Sequence, residues 1–206
     1  AETRATRHDE GPATVVEFND LGEGRTQMKM SDGRTIHKAA NEMLREDEPD
    51  GSMRLSLPNG LLVQRDADGK VQGFDPASGK AVDVHVGQHS ESGQYYFEFK
   101  DNTGNKWMAT SDTLRFEVTN AAGTVHQKVS SAGTVQISSS TVLRDEHGAF
   151  RQEHATVTVR PDGQVVGQGI REKNIHVTKN TLTFHQSNGT RVETDLAYPI
   201  PYALQT

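Results

Sequence analysis

The chain has 206 residues, 33% hydrophobic and 24% charged, with 28 acidic against 22 basic side chains and a formal net charge of −6 at pH 7. It has no strongly basic stretch of the kind phosphate backbones demand, and no apolar run near the ~18 residues of a membrane-spanning helix; nucleic-acid binding and a helical span are both disfavoured. Cysteine is absent, which excludes disulfides and thiolate metal sites.

Residues 1–12 hold charge and His8 but no large apolar side chain, and are expected to form a disordered lead-in. Ala1 suits the position after a signal-peptidase site, and an excised domain begins the same way; of the two, the lean is toward a secreted or cell-surface setting. Val15–Phe18 reads as a short strand. Thr26–Met30 alternates polar and apolar, then turns at Ser31-Asp32-Gly33. Ile36, Ala39, Ala40, Met43 and Leu44 fall at helical spacing, which predicts one short helix over Ile36–Glu46 with Thr35 as its cap. The acidic, Pro-containing run Glu46–Gly51 ends that segment. It marks the expected boundary between an N-terminal strand and helix appendage, 13–50, and a main antiparallel body, 51–197.

The body reads as strand and turn throughout. Met53, Leu55 and Leu57 alternate; so do Val82, Val84 and Val86 within Ala81–Val86. Tyr95, Phe97 and Phe99 line one face of a strand, and Leu114, Phe116 and Val118 line another. Val125 and Val129, Val135 and Ile137, and Val157 and Val159 continue the series. A two-residue turn at Lys179-Asn180 sets Val177 opposite Leu182 and His176 opposite Thr183. Residues 198–206 contain Pro199 and Pro201, which lack the ladder donor, and are expected to form a tail.

Ten glycines punctuate these strands: Gly33, Gly60, Gly69, Gly79, Gly104, Gly123, Gly133, Gly148, Gly163 and Gly189. Most close a turn that carries Asp, Asn or Ser, the chemistry of a type I turn followed by a left-handed Gly bulge. The expected class is mainly β: an antiparallel meander, extended or solenoid-like, of many short hairpins with one short helix near the N-terminus. The polar composition favours a thin sheet over a thick sandwich core. Gaps between turn glycines run from nine residues (Gly60 to Gly69) to twenty-seven (Gly33 to Gly60), so no constant period is expected.

Motifs that carry chemistry are sparse. His85 and His89 with Glu91 occupy a Gly-containing segment that does not preorganise a zinc site. His176 and His185 fall on the wet face of a hairpin. Asp145-Glu146-His147 sets acid beside base, but in a Gly-closed turn, where acids ordinarily serve local hydrogen bonding. No nucleophile elbow and no strand–loop–helix phosphate cradle is present. No cofactor, metal ligand or catalytic residue is therefore assigned.

The aromatic cluster Tyr95–Phe99 with Trp107 is the remaining signal. Tyr96, Glu98 and Trp107 are the candidate binding residues, since Tyr and Trp on an exposed face stack sugars. Register decides their fate. With a bulged turn at Asp101–Gly104, Phe99 faces Trp107, which joins Tyr95, Phe97 and Phe99 in the core; with a plain four-residue loop, Trp107 joins Tyr96 and Glu98 outside. The bulged form is favoured because it stacks the aromatics together. The expected function is a non-catalytic β-rich binding or assembly module with a protein or glycan partner; the alternative is a carbohydrate-active enzyme or glycan-binding domain with an aromatic platform.

Overall fold

Reversals organise the chain, and one hydrogen-bond pattern makes most of them. The computed structural model describes residues 11–170, 175–177 and 180–198. In turns opening at Met30, Glu48, Leu57, Asp66, Asp101, Ser130, Asp145, Arg160 and Gln186, the first residue donates its N–H to the carbonyl four positions on. The glycine three positions on donates back to the first residue's carbonyl. All ten turn glycines sit at positive φ, from 70° at Gly79 to 99° at Gly163. That is the left-handed region where a β-carbon is penalised, so the glycine signal of the sequence is a backbone requirement.

The predicted helix over Ile36–Glu46 is corrected. That segment is two strands joined by another copy of the same turn, in which Ala39 N–H donates to Met43 O and Glu42 N–H donates to Ala39 O. Glu42 occupies the glycine position at φ 72°. With this turn included, the openings at Met30, Ala39, Glu48, Leu57 and Asp66 fall nine residues apart. The irregular spacing expected from the ten glycines is thus also corrected: the first part of the chain has a nine-residue period, hidden by Glu42 in the glycine position and by Gly51, which closes a turn outside those ten. Asp32, Asn41, Asp50 and Asn59 recur at the same interval, and the Oδ1 of each accepts the N–H two residues on.

The protein is mainly β, built from antiparallel sheets of many short strands. The first sheet follows chain order through β1 (Val15–Gly22), β2 (Arg25–Met30), β3 (Thr35–Ala39), β4 (Leu44–Asp47), β5 (Met53–Ser56), β6 (Leu62–Arg65), β7 (Val71–Asp75) and β8 (Lys80–Val82). The acidic run ending at Gly51 is a hairpin turn inside this sheet, since Glu48 N–H donates to Ser52 O and β4 pairs with β5. The second sheet runs β9 (His85–Gln88), β10 (Tyr95–Lys100), β11 (Lys106–Thr110), β12 (Arg115–Thr119), β13 (Val125–Val129), β14 (Val135–Arg144), β15 (Phe150–Val159) and β16 (Val165–Gln168). The single strand expected at Ala81–Val86 is divided between the two sheets, with Asp83-Val84 as the crossing.

A third sheet joins β17 (His176–Val177), β18 (Thr181–His185) and β19 (Arg191–Asp195). Its register, His176 opposite Thr183 and Val177 opposite Leu182, is the one the sequence predicts. The expected lead-in, residues 1–12, lies outside the described residues apart from Gly11 and Pro12, as does the expected tail beyond Tyr198.

Alternating side chains from all three sheets close one hydrophobic core. Leu55 and Val63 from the first sheet, Phe97, Trp107, Phe116 and Ile137 from the second, and Leu182 and Phe184 from the third belong to the same buried cluster. Each such side chain contributes about 1.5–3 kcal/mol when fully buried. Two buried amides tie the third sheet down. Gln127 donates to Asp195 O and accepts from Ala197 N, while Gln186 donates to Ser139 Oγ and accepts from Thr141 Oγ1.

The first sheet meets this core through β5 and β6 and, nearer β1, through Ala39 and Met43, while the rest of its core-facing side turns polar. Register carries the inward row from Leu55 and Val63 back through Arg45, His37, Gln27 and Asn19, all polar. The opposite face shows the reverse. Arg54 and Glu46 give way to Ile36, Met28 and Phe18 towards the β1 edge. Along these two rows the apolar side of the sheet therefore changes over between β4 and β5.

Candidate functional site

The three sequence candidates separate on the β10–β11 hairpin. Its turn takes the bulged form: Asp101 Oδ1 accepts Thr103 N–H and Asn105 N–H, and Gly104 N–H donates to Asp101 O. Lys100 then stands opposite Lys106, Phe99 opposite Trp107, and Glu98 opposite Met108. Trp107 is buried at 3% exposure, stacked between Phe99 and Phe116, with Nε1–H donating to Asp101 Oδ2 at 3.0 Å. Tyr95, expected in the same core, is corrected: at the start of β10 it stays half exposed. Partial burial pushes the Asp101 carboxyl up. The donors Trp107, Thr103 and Asn105 outweigh it and hold the group below its ordinary range.

Tyr96 and Glu98 lie on the opposite, outward face. The Tyr96 ring covers the backbone of Gly87 so closely that no side chain fits there, and it packs 4.8 Å from the His89 ring. Glu98 pairs with Lys106 at 3.3 Å. The face continues in register through Met108, Glu117, Lys128 and Gln136. A shallow depression of about 380 Å³ forms there, flanked by Thr110 and Arg115. Glu117 lies 3.7 Å from Lys128, which also lines the depression, and 3.6 Å from His126.

The remaining sequence signals are dispersed. His89 meets Thr110 Oγ1 at 3.4 Å. Asp145 Oδ1 accepts the N–H groups of His147 and Ala149, the local turn role read from sequence. Among the described residues no group of three or more His, Asp or Glu side chains converges as a metal site would require.

One polar cluster was not foreseen, because it lies in the segment read as helix. On the inward face of the first sheet, Asp47 meets His37 Nε2 at 3.3 Å and Arg45 Nε at 2.9 Å, and Arg45 also donates to Asp112 at 3.0 Å. Burial raises the Asp47 carboxyl, but its bonds to His37 and Arg45 prevail and hold it below the usual range. Other acids held low follow the same local logic: Glu17 through Lys29, Asp32 through Arg34 and Asp50 through Ser52. These shifts keep carboxylates ionised, opposite to the raised value a general acid needs. The cluster joins β4 to the turn between β11 and β12.

The sheet edges differ sharply among the described residues. β8, β9, β16 and β17 are two to four residues long, and β19 carries Arg191, Glu193 and Asp195. Short or charged edges resist pairing with other chains. β1 is eight residues long, with Val15, Val16, Phe18 and Leu21 between 43% and 65% exposed. Its two bulges leave the straight tetrad Glu17–Asp20 between them.

No protein-family model matches this chain, and no curated protein matches it.

Proposed function

We propose that the protein is a non-catalytic binding or assembly module that works through the β1 end of its first sheet. The observation that carries this reading is the changeover of apolar faces. Phe18, Met28 and Ile36 form an outward row ending at an eight-residue edge strand that has no neighbour on its far side among the described residues. Backbone donors and acceptors along such an edge are a template for an added strand, and a flanking apolar row supplies side-chain contacts for it. Val15, Val16, Phe18 and Leu21 are 43–65% exposed along this one strand, a cluster on an edge and not a lone apolar side chain.

The glycan-platform alternative needs Tyr96 and Trp107 together. Their separation onto opposite faces leaves Tyr96 without its partner, and its ring is occupied over Gly87. The module reading is tested by display selection of random ten-residue peptides on the immobilised full chain, alongside a glycan array. Enriched peptides that lose binding to Phe18→Asp support the reading. Glycan binding or glycan hydrolysis that Tyr96→Ala abolishes, with neither peptide capture nor self-association, overturns it.

A further inference from the structure

We propose that the strand added at β1 is β1 of a second copy, paired antiparallel about a two-fold axis with Phe18 opposite Phe18. The inference rests on the module reading and names the partner at that same edge. In a two-fold antiparallel pair, fixing one central position fixes every other opposition, so the sequence of β1 selects the register.

Centring on Glu17 sets two carboxylates face to face. Adjacent oppositions alternate between hydrogen-bonded and non-hydrogen-bonded pairs, so the two-fold centres on a residue and never between two. Centring on Asn19 sets Phe18 against Asp20 and Glu17 against Leu21. Centring on Phe18 opposes no like charges. Phe18 meets Phe18, Val15 meets Leu21, Val16 meets Asp20, and Glu17 meets the side-chain amide of Asn19.

The same register makes use of the local geometry. Bulges at Val16 and Leu21 bracket the tetrad Glu17–Asp20, and three of its residues, Glu17, Phe18 and Asn19, lie in the central pairs. Phe18 continues in register into Met28 and Ile36, so the pairing joins two apolar rows end to end: Ile36, Met28, Phe18, then Phe18, Met28, Ile36 of the second copy. The two eight-stranded sheets become one sixteen-stranded sheet whose core-distal face carries that row. Glu17 already pairs with Lys29 at 2.9 Å within its own sheet, which limits charge repulsion between copies. So short a pairing buries less than the ~1,200 Å² of a standard interface, so the dimer is a weak, exchanging one.

Sedimentation equilibrium of the full chain tests this across a concentration series, with far- and near-ultraviolet dichroism confirming that each variant folds. The wild type is expected to show a reversible, concentration-dependent monomer–dimer equilibrium. Phe18→Asp places two carboxylates at the axis and weakens dimerisation at least about tenfold. Asn19→Lys faces Glu17 twice and tightens it, whereas Asn19→Glu weakens it. Asp20→Lys, which faces Val16, leaves it within about twofold. A wild type that stays monomeric to about 1 mM overturns the inference, as does an Asp20→Lys effect as large as that of Asn19→Lys. A monomer that still captures extended peptides at β1 overturns only the second copy and leaves the module reading standing; one that captures none overturns both.

Discussion

Phe99 stands directly opposite Trp107 across the β10–β11 pair, ring centroids 6.1 Å apart and planes 11° from parallel. A one-residue slip would turn every side chain of β11 to the other face. The bulged Asp101–Gly104 turn opposes it: Gly104 at φ 83° closes the loop with Lys100 set against Lys106. Fluorescence of this single tryptophan should therefore be blue-shifted and poorly quenched by acrylamide. Emission near that of free indole, readily quenched, would contradict the register.

Asp101 couples that turn to the core. Its Oδ1 accepts from Thr103 and Asn105 backbone N–H, and its Oδ2 accepts the indole N–H. Because its folded value lies below its unfolded one, the native state binds fewer protons than the unfolded state in the acid range. Its stabilisation is complete above the ordinary carboxylate range and is lost as pH falls through the folded value. Asp101→Asn should cost about 1–2 kcal/mol at pH 7, with the gap to wild type narrowing between about pH 5 and pH 2. Melting temperatures of both proteins across that range would check it, and a gap that widened in acid would refute the assignment.

Most of the fold was legible because turn chemistry is local. Gly163, Gly148 and Gly69 announce their reversals through residues within three positions, and the hairpin register at Val177 and Leu182 follows from the alternation around it. The segment Ile36–Glu46 reads as helix for the same reason. Without Gly at position 42, the spacing of Ile36, Ala39, Ala40, Met43 and Leu44 satisfies a helical stripe as well as two strands. The clue was present in Asp32, Asn41, Asp50 and Asn59 at nine-residue intervals. The face changeover at β4–β5 was not legible, since alternation reports that a strand has two sides but not which one meets the core. The pairing of Arg45 with Asp112 depends on packing between elements distant in sequence.

Glu42 and Gly69 occupy equivalent turn positions, at φ 72° and φ 89°. A β-carbon is penalised there, so the two substitutions should act in opposite senses. Gly69→Ala meets no neighbour within 4 Å and should cost about 1 kcal/mol through backbone strain alone, while Glu42→Gly should gain up to about 1 kcal/mol. Urea midpoints at constant m-value measure both. A neutral or stabilising Gly69→Ala would show that the strain is absent.

The turn that Glu42 closes is tolerated because its neighbour is anchored. Asn41 is fully buried at the meeting of the first two sheets. Its Nδ2 donates to Leu114 O at 2.8 Å and to Ser130 O at 3.1 Å, and its Oδ1 accepts Met43 N–H at 2.9 Å. Its own N–H donates to Ser131 O, and the preceding Ala40 N–H donates to Gly24 O. Asn41→Ala removes three side-chain bonds and leaves two carbonyls and one N–H without those partners in a space too tight to relax freely. Each such loss costs about 1–3 kcal/mol if water cannot replace the partner, and partial rehydration brings the expected total to about 2–4 kcal/mol. Asn59, at the equivalent position of the Leu57–Leu61 turn, makes only the local bond to Leu61 N–H. Asn59→Ala should therefore cost about 1 kcal/mol or less. Chemical denaturation of the two variants side by side separates anchoring between sheets from turn propensity. Equal losses would mean that the Asn41 contacts to Leu114 and Ser130 contribute nothing to holding the first sheet against the second.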